Sequence, residues 1–218
     1  MTIVYGATRN IYHKLKPAIA SLLDHNDADI IILAEDDTLD YPAKVINVED
    51  QPFFYGPNTA TQFRYMALMR LVLTELTNAD KALWLDVDTI VCDDLTPLWN
   101  TDMTGKWWAA VEEVNGTYRP FGEHYYNSGV SMFNLKQMRA DKITEKMVAA
   151  INCIRFPFPD QDVLNKHCVP EHIVPLDVRY NETFATGHTD NPCIVHYAGY
   201  PNYFEARVPR KNYLEKYL

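Results

Sequence analysis

Cysteine, basic side chains and long apolar runs are all scarce in this sequence. The four cysteines, Cys92, Cys153, Cys168 and Cys193, form no C-x-x-C pair. The sequence therefore predicts neither a zinc knuckle nor a disulfide scaffold, but reduced thiols in a cytoplasmic protein. Lys and Arg number 20 against 29 for Asp and Glu, which gives a net charge of −9. An acidic protein is a poor general binder of nucleic acid or anionic lipid, so neither is expected as a partner.

Apolar residues make up 47% of the 218 residues without collecting in long runs. No stretch approaches the ~18 apolar residues of a membrane span, and residues 1–6 have no basic segment ahead of an apolar one. The sequence thus predicts no transmembrane segment and no signal peptide. Since no internal repeat, low-complexity segment or linker is found, residues 1–218 are expected to form one domain with a sizeable core.

Short apolar runs alternate with helical patterns, which is typical of an α/β fold. The chain opens with a strand, a small-residue turn and a helix, an order that ordinary α/β units share with nucleotide-binding ones. Asn58 or Thr59 is expected to cap the second helix, and Asp160 a later one. Strands are predicted over residues 2–5, 30–34, 44–48, 82–85, 107–111, 130–133 and 193–196, and helices over residues 12–23, 59–76, 136–152 and from about 160.

Two carboxylates, Asp86 and Asp88, directly follow the apolar run at residues 82–85. On an extended backbone, side chains at i and i+2 point to the same face, so both would aim at one point past the end of a core strand. Open α/β sheets bind ligands there, and adjacent carboxylates repel each other unless a cation lies between them. The alternative is that both residues only turn the chain after a strand, where Asp is common.

Four other polar residues allow a structural and a functional interpretation. Arg70 lies in an apolar helix and must be paired, either with a core carboxylate or with the Asp pair or a ligand phosphate. Asn127 is followed by two small residues and then a strand. It either forms a turn there or supplies an amide to a polyhydroxylated ligand that the small residues allow to approach the backbone. Gln161 is not explained by helix capping. His196 ends a strand, where it is either structural or a ligand.

Motifs in four stretches follow one another along the chain. They are residues 81–89 (KALWLDVDT, continued by LTPLW at 95–99), 127–135 (NSGVSMFNL), 160–165 (DQDVLN) and 196–199 (HYAG). In order and approximate spacing they resemble the motifs of family 8 retaining glycosyltransferases, the family of glycogenin and bacterial lipooligosaccharide α-galactosyltransferases. The resemblance extends from the first strand to about residue 203.

This resemblance implies a GT-A fold, a single α/β domain whose mostly parallel, Rossmann-like sheet is flanked by helices. It implies that Asp86, Asp88 and His196 bind Mn²⁺ or Mg²⁺ and that a UDP-sugar binds beside the metal. The implied nucleotide-sugar contacts are Ala7, Thr8, Asn10, Arg70, Val87, Asn127, Asp160, Gln161, Gly199 and Asn202.

The implied reaction moves glucose or galactose from a UDP-sugar to a hydroxyl of a glycan or other acceptor, with retention of configuration. Gln161 and Asp160 are the implied catalytic residues, with Gln161 against the anomeric carbon. A retaining glycosidase would place a carboxylate nucleophile there, but an amide is a poor nucleophile. The family is therefore given a front-face mechanism, in which the leaving diphosphate helps to deprotonate the acceptor.

The sequence departs from the family pattern at two places. Asn202 stands where the family has a lysine that binds phosphate, and Thr8-Arg9 stands where an acidic residue is frequent, which leaves the recognised base open. Residues 200–218 carry four basic and two acidic side chains. This C-terminal segment is expected to lie near the active site, where Arg207, Arg210 or Lys211 would replace the missing lysine.

Two alternatives come from the same residues. Asn202 also fits a nucleotide-sugar-binding protein with little transfer activity, because a fold does not guarantee an activity. Residues 86–89 (DVDT) further resemble the D-x-D-x-T motif of haloacid dehalogenase phosphatases. That motif normally follows the first strand, however, and the phosphatase interpretation leaves Gln161 and His196 unexplained.

Overall fold

Nine strands occur in the computed structural model, which describes residues 1–60, 64–200, 202–204 and 207–218. In chain order they are β1 (Thr2–Gly6), β2 (Asp29–Ala34), β3 (Lys44–Asn47), β4 (Ala82–Leu85), β5 (Thr89–Val91), β6 (Trp108–Val111), β7 (Val130–Phe133), β8 (Ile173–Leu176) and β9 (Ile194–His196). Seven of them form one sheet in the order β3-β2-β1-β4-β7-β6-β8. The first four in this order run parallel, β7 is antiparallel to β4 and β6, and β8 is parallel to β6. The predicted, mostly parallel α/β sheet is confirmed.

Helices cover both faces of the sheet. They are α1 (Leu15–His25), α2 (Arg64–Leu68), α3 (Leu73–Leu76), α4 (Thr96–Trp99), α5 (Leu135–Ala140), α6 (Ile143–Cys153), α7 (Pro159–Cys168) and α8 (Lys211–Glu215), with 3₁₀ turns at Arg9–Lys14, Met69–Val72 and Val178–Tyr180. Within the described ranges, no helix is long and apolar enough to cross a membrane.

Alternating side chains of β1 divide the core into two layers. Ile3 and Tyr5 pack with Leu15 of α1 on one face, and Val4 packs with Trp84 and with residues of α6 and α7 on the other. Successive side chains of a strand point to opposite faces, so a strand covered on both faces is apolar at every position. This explains the uninterrupted apolar runs of β1, β2 and β4.

The last predicted strand lies outside the central sheet. β9 pairs antiparallel with β5 in a separate ribbon, and Thr89 lies opposite His196. Because β5 begins directly after the turn that follows β4, this pairing brings His196 beside the two aspartates. The ribbon therefore joins residues from distant parts of the chain.

Three predicted helices differ from the observed ones. The first begins as a 3₁₀ turn at Arg9, and α1 follows only from Leu15. The predicted helix over residues 136–152 is two helices, separated at Lys142, whose φ is +53°. The predicted helix over residues 59–76 is replaced by turns at residues 57–60, then α2, a 3₁₀ turn and α3, while residues 61–63 lie outside the described residues.

The expected helix caps have other roles. Asn58 is buried and its amide donates to the carbonyls of Ile151 and Ile154, both at 2.6 Å, while its oxygen accepts from the N–H of Phe156 at 2.9 Å. Thr59 donates its hydroxyl to the carbonyl of Gly56. Asn58 is therefore an anchor for the end of α6 and not a helix cap. The N–H groups that Thr59 would cap belong to residues 61–63, which lie outside the described residues.

Candidate active site

A cleft of about 670 Å³ opens where β1 and β4 end. Its volume lies within the range of ~300–1,000 Å³ that is usual for small-molecule sites. The carboxyl ends of parallel strands are also where α/β sheets bind ligands. Lining residues that carry polar or charged side chains are Thr8, Asn10, Lys14, Arg70, Trp84, Asp86, Asp88, Glu113, Tyr118, Tyr125, Asn127, Ser128, Asp160, Gln161 and His196.

The two aspartates of the D-x-D triplet lie in a tight turn between β4 and β5. The N–H of Thr89 donates to the carbonyl of Asp86 at 3.1 Å, and residues 87 and 88 form the turn. The expected extended backbone is therefore wrong, although the predicted strand at residues 82–85 is confirmed. It is this turn, and not the alternation of a strand, that brings the two carboxylates together.

Asp86, Asp88 and His196 form a compact group of possible metal ligands. One ligand atom from each lies within 4.8 Å of the other two. The Nε2 atom of His196 is 3.3 Å from Oδ1 of Asp88 and 3.9 Å from Oδ2 of Asp86. Two carboxylate oxygens and one imidazole nitrogen are a donor set that fits a divalent cation.

A chain of amides determines which nitrogen of His196 faces this group. Nδ1 of His196 lies 2.9 Å from Oδ1 of Asn181, whose Nδ2 donates to Oδ1 of Asn127 at 2.8 Å. Asn127 in turn donates from Nδ2 to the carboxylate of Glu113 at 2.8 Å. A carboxylate only accepts, so the direction of every bond follows, and Nδ1 of His196 carries the proton. In the neutral imidazole, the lone pair of Nε2 then faces the aspartates, as a metal ligand requires.

Burial and charge compete in setting the pKa values of the three groups. Burial raises the pKa of Asp86 above its ordinary value, against the opposing charge of Arg70. Burial acts in the same direction on Asp88, but the nearby His196 outweighs it and the pKa of Asp88 is lowered. For His196, burial disfavours the charged form, yet Asp88 and Asp86 outweigh it and raise its pKa. The cluster is thus short of positive charge.

Arg70 connects the aspartate turn to the opposite wall of the cleft. Its side chain is 3% exposed, and it lies 2.8 Å from Asp86 and 3.2 Å from Asp160. It also donates to the backbone carbonyls of Ala67 and Ser128 and packs over the ring of Trp84. Arg70 is thus paired with two carboxylates that line the cleft, while its contact with a ligand phosphate stays a prediction.

Asp160 and Gln161, in the first turn of α7, are held from two sides. Ser128 donates its hydroxyl to Asp160 at 2.8 Å and its N–H to Oε1 of Gln161 at 3.0 Å. Nε2 of Gln161 donates to Glu113 at 3.0 Å. The prediction that Asp160 caps α7 is wrong, because Phe158 occupies the cap position and the Asp160 carboxylate is bonded to Ser128 and Arg70. The Gln161 amide is held in one orientation.

Asp162, the second aspartate of the DQD motif, supports the aromatic wall of the cleft. It is fully buried and accepts from the hydroxyls of Tyr125 at 2.7 Å and Tyr118 at 3.2 Å. It also accepts from the N–H of Phe158 at 3.0 Å and so stabilises the start of α7. The rings of Tyr118 and Phe158 meet edge to face.

Most of the predicted site residues line the cleft. Besides the residues above, Thr8, Asn10, Val87 and Gly199 line it, and the Thr8 hydroxyl donates to the Asn10 side chain at 2.6 Å. Among the described residues that line the cleft, Ala7 and Asn202 do not occur. Ala7 is completely buried, and its N–H is bonded to the carbonyl of Leu33. Asn202 is exposed.

Sequence reasoning missed several residues of the site. Ser128 belongs to a recognised motif but received no role, and Glu113, two residues after the end of β6, was not singled out. Lys14 and Asn181 carried no sequence signal at all. Each is drawn into the site only through contacts with residues that are distant in the sequence.

The fold and site together define a class of protein, the GT-A glycosyltransferases. In shape the chain is similar to the galactosyltransferase LgtC, solved in complex with donor and acceptor sugar analogues (TM-score 0.73, 21% identity, 99% of this chain and 94% of LgtC). Residues 40–202, more than half of the chain, match the sequence model of glycosyl transferase family 8. The chain therefore belongs to this family, and the resemblance inferred from the four motifs is confirmed.

Curated relatives in this comparison are mostly longer proteins. The lipopolysaccharide glucosyltransferase WaaO of Escherichia coli is 22% identical over 242 residues, covering 91% of this chain and 71% of WaaO. A glycosyltransferase candidate of Haemophilus influenzae is 30% identical over 142 residues, covering 59% of this chain. The matched segment spans only 43% of that relative.

Proposed function

We propose that this chain is a metal-dependent retaining hexosyltransferase, which moves glucose or galactose from a UDP-sugar to a hydroxyl of a glycan or other acceptor. The observation that carries this proposal is the ligand group Asp86, Asp88 and His196, located in one cleft with Gln161 and Arg70. The names of two similar proteins, a lipopolysaccharide glucosyltransferase and a galactosyltransferase, support a hexose.

Asp86, Asp88 and His196 would hold Mn²⁺, with Mg²⁺ as the alternative ion. Oδ1 of Asp86 accepts from Arg70 and from the indole N–H of Trp84, both at 2.8 Å, which leaves Oδ2 for the ion. Bound there, the cation would neutralise the oxygens of the departing diphosphate. A mixed oxygen and nitrogen set suits Mn²⁺ better than Mg²⁺, which prefers oxygen ligands.

The remaining residues of the cleft bind and orient the sugar donor. Thr8 and Asn10 present a hydroxyl and an amide for the uracil and ribose, and Val87 and Gly199 offer close approach of the backbone. On the other wall, Asn127, Asp160 and Gln161 can bond to sugar hydroxyls. A site assembled from rigid strand ends holds reacting groups in one geometry, which lowers the entropic part of the barrier.

Among retaining routes, the character of Gln161 and Asp160 favours front-face substitution over double displacement. An amide is a poor nucleophile, and the charge of Asp160 is already compensated by Arg70 and by the Ser128 hydroxyl. Neither residue is well suited to attack the anomeric carbon. The front-face route, in which the leaving diphosphate helps to deprotonate the acceptor, requires no protein nucleophile.

A binding protein with little transfer activity is the second candidate, favoured by the exposed Asn202 at the family's lysine position. The phosphatase alternative does not survive, because the chain belongs to a glycosyltransferase family and Asp86 follows the fourth strand.

Turnover of sugar nucleotides separates these functions. With Mn²⁺, the wild-type protein is expected to consume UDP-glucose or UDP-galactose faster than GDP- or CMP-sugars, and to stop after chelation by EDTA. NMR of the product should show the anomeric configuration of the sugar donor. Binding of UDP-sugars without turnover would indicate the binding protein, and preferential turnover of a GDP- or CMP-sugar would contradict the proposal. An inverted anomeric centre would exclude a retaining mechanism.

A methyl group at Gly129 is expected to disrupt the metal site. A Cβ atom there would lie 2.1 Å from Cε1 of His196, so Gly129→Ala forces the imidazole away from the aspartates. Changing a group that positions a metal ligand typically weakens metal binding by roughly 10- to 100-fold. Calorimetric titration of UDP in the presence of Mn²⁺ measures the loss.

Gly116→Ala is the matched control for this change. Its Cβ would meet only Glu113 and Arg119, at ordinary distances of 3.6 and 3.7 Å. Wild-type affinity in a folded Gly129→Ala protein would mean that the observed position of His196 is not needed for metal binding.

A further inference from the structure

The cleft contains more acidic than basic side chains. Asp86, Asp88, Glu113 and Asp160 line it, whereas Lys14 and Arg70 are the lysine and arginine among its described lining residues. Arg70 is already shared between Asp86 and Asp160. Even with the proposed divalent cation, a bound diphosphate would leave the cleft with a surplus of negative charge, so a second cationic side chain would favour its binding.

The C-terminal segment was predicted to supply this charge, but three of its basic side chains are bonded to groups outside the cleft. Arg210 lies 2.8 Å from Glu182 and also donates to the carbonyl of Thr189. Lys211 donates to the carbonyls of Tyr203 and Phe204. Lys216 is bonded to Asp24 on the surface. None of these three residues, nor Arg207, is among the described residues that line the cleft.

Lys14 reaches the cleft from the opposite end of the chain. It is the last residue of the 3₁₀ turn that precedes α1, and it is half-buried. Its Nζ atom lies 4.9 Å from the ring centroid of Tyr203, the residue directly after Asn202. The ammonium group of Lys14 therefore contacts the residue that follows the family's lysine position in the sequence.

Tyr203 is a rigid support for this contact. It is completely buried, stacks on Tyr197 with 5.0 Å between ring centroids, and donates its hydroxyl to the carbonyl of Val87 at 3.2 Å. Val87 lies between the two aspartates of the ligand group. Tyr203 thus contacts both the Lys14 ammonium group and the turn that carries Asp86 and Asp88.

Lys14 lines the same cleft as Asp86 and Asp88. A phosphate bound beside these two residues would interact with the charge of the Lys14 ammonium group.

We propose that Lys14 binds the diphosphate of the sugar donor in this chain, in place of the family lysine that Asn202 replaces. The inference rests on the proposed function, since it assumes that a nucleoside diphosphate occupies the cleft. In this proposal the positive charge that binds phosphate comes from the first 3₁₀ turn, whereas in the family it comes from the last motif of the chain. The exposed Asn202 then no longer argues for a protein without activity.

Binding of UDP and of uridine, measured by calorimetry with Mn²⁺, tests this role. Lys14→Gln is expected to weaken UDP binding by roughly 10- to 100-fold, the range of one lost charge-assisted contact. Binding of uridine, which has no phosphate, should not change. Lys16→Gln is the matched control, because Lys16 is exposed on the same helical segment. Lys211→Gln tests the C-terminal segment and should also bind UDP like the wild type.

A second-site change distinguishes charge from packing. Adding Asn202→Lys to the Lys14→Gln protein should restore most of the UDP affinity, because it returns an ammonium group at the family's position. If Lys14→Gln binds UDP like the wild type, or loses affinity for UDP and uridine equally, the role of Lys14 is refuted. If the wild-type protein itself does not bind UDP, the proposed function fails instead.

Discussion

Replacing Gln161 by alanine is expected to lower kcat by roughly 100- to 1,000-fold, while KM for the sugar donor changes little. Its amide is held by the N–H of Ser128 and by Glu113, so its dipole points in one direction before the substrate binds. A dipole that is fixed in advance stabilises charge that develops only in the transition state, and losing one costs about 2.7–4 kcal/mol. A loss in kcat without a change in KM is the signature of such an interaction.

Gln137→Ala is the control for this experiment, because Gln137 lies on α5 and bonds to Asp141 outside the cleft. It should retain wild-type kcat. A Gln161→Ala protein with unchanged kcat, or one in which only KM rises, would show that this amide binds substrate without acting in the transition state. A covalent sugar adduct on Asp160 of the wild-type protein, seen by intact mass, would replace the front-face route by double displacement.

Gln161→Glu, which would install a carboxylate nucleophile at residue 161, is not a simple test of the mechanism. The Nε2 atom of Gln161 lies 3.0 Å from the Glu113 carboxylate. A glutamate at residue 161 would place two carboxylates in contact, and like charges at this distance cannot both ionise without a large cost. The changed side chain is therefore expected to leave its present position, so that a lack of adduct on residue 161 would not be informative.

Arg70→Met is expected to cost about 3–5 kcal/mol of the free energy of unfolding, an effect large enough to threaten folding. The guanidinium group is 97% removed from solvent and lies between Asp86 and Asp160, of which Asp160 is itself buried. Methionine fills a similar volume but leaves the buried carboxylate without its cation. The cost arises mostly from this uncompensated charge. Urea unfolding monitored by circular dichroism measures it.

Two further arginine variants identify the cause. Arg70→Lys restores the charge but not the two-pronged guanidinium, so it should recover only part of the loss. Arg9→Met removes an arginine that also contacts two carboxylates, Asp36 and Glu49, but on the surface. It should cost far less, since solvent screens exposed pairs. If Arg70→Met and Arg9→Met are equally mild, the buried ion pairs do not stabilise the fold.

Local patterns in the sequence were enough to identify the family and seven of the nine described strands, but not β5 or β8. The runs at residues 2–5, 30–34 and 82–85 were predicted as buried strands and are β1, β2 and β4. These runs are apolar because both faces of the sheet are covered, so each residue of the strand must be apolar whatever its neighbours are. The motifs around Asp86, Asn127, Gln161 and His196 likewise consist of consecutive residues. Information of this kind is contained in a short window of the chain.

The helix ends were less predictable, because hydrogen bonds from elsewhere decide them. Asn58 has a good capping side chain, but its amide is bonded to the end of α6. Asp160 stands in the first turn of α7, but its carboxylate is bonded to Arg70 and Ser128. Capping propensity is worth only about 1 kcal/mol, so a buried ion pair or a pair of buried backbone acceptors can override it.

The sequence by itself determined the fold class, most strands of the sheet, the family and which residues could bind a metal and a sugar nucleotide. Only the tertiary structure decided how these residues meet: the β5–β9 ribbon brings His196 to Asp86 and Asp88, and Asn181 orients its ring. Only the tertiary structure, too, brings Lys14 to the cleft and occupies Arg210 and Lys211 elsewhere. The physical reason is that burial patterns are set residue by residue along the chain, whereas charge pairing depends on distances between segments that only folding brings together.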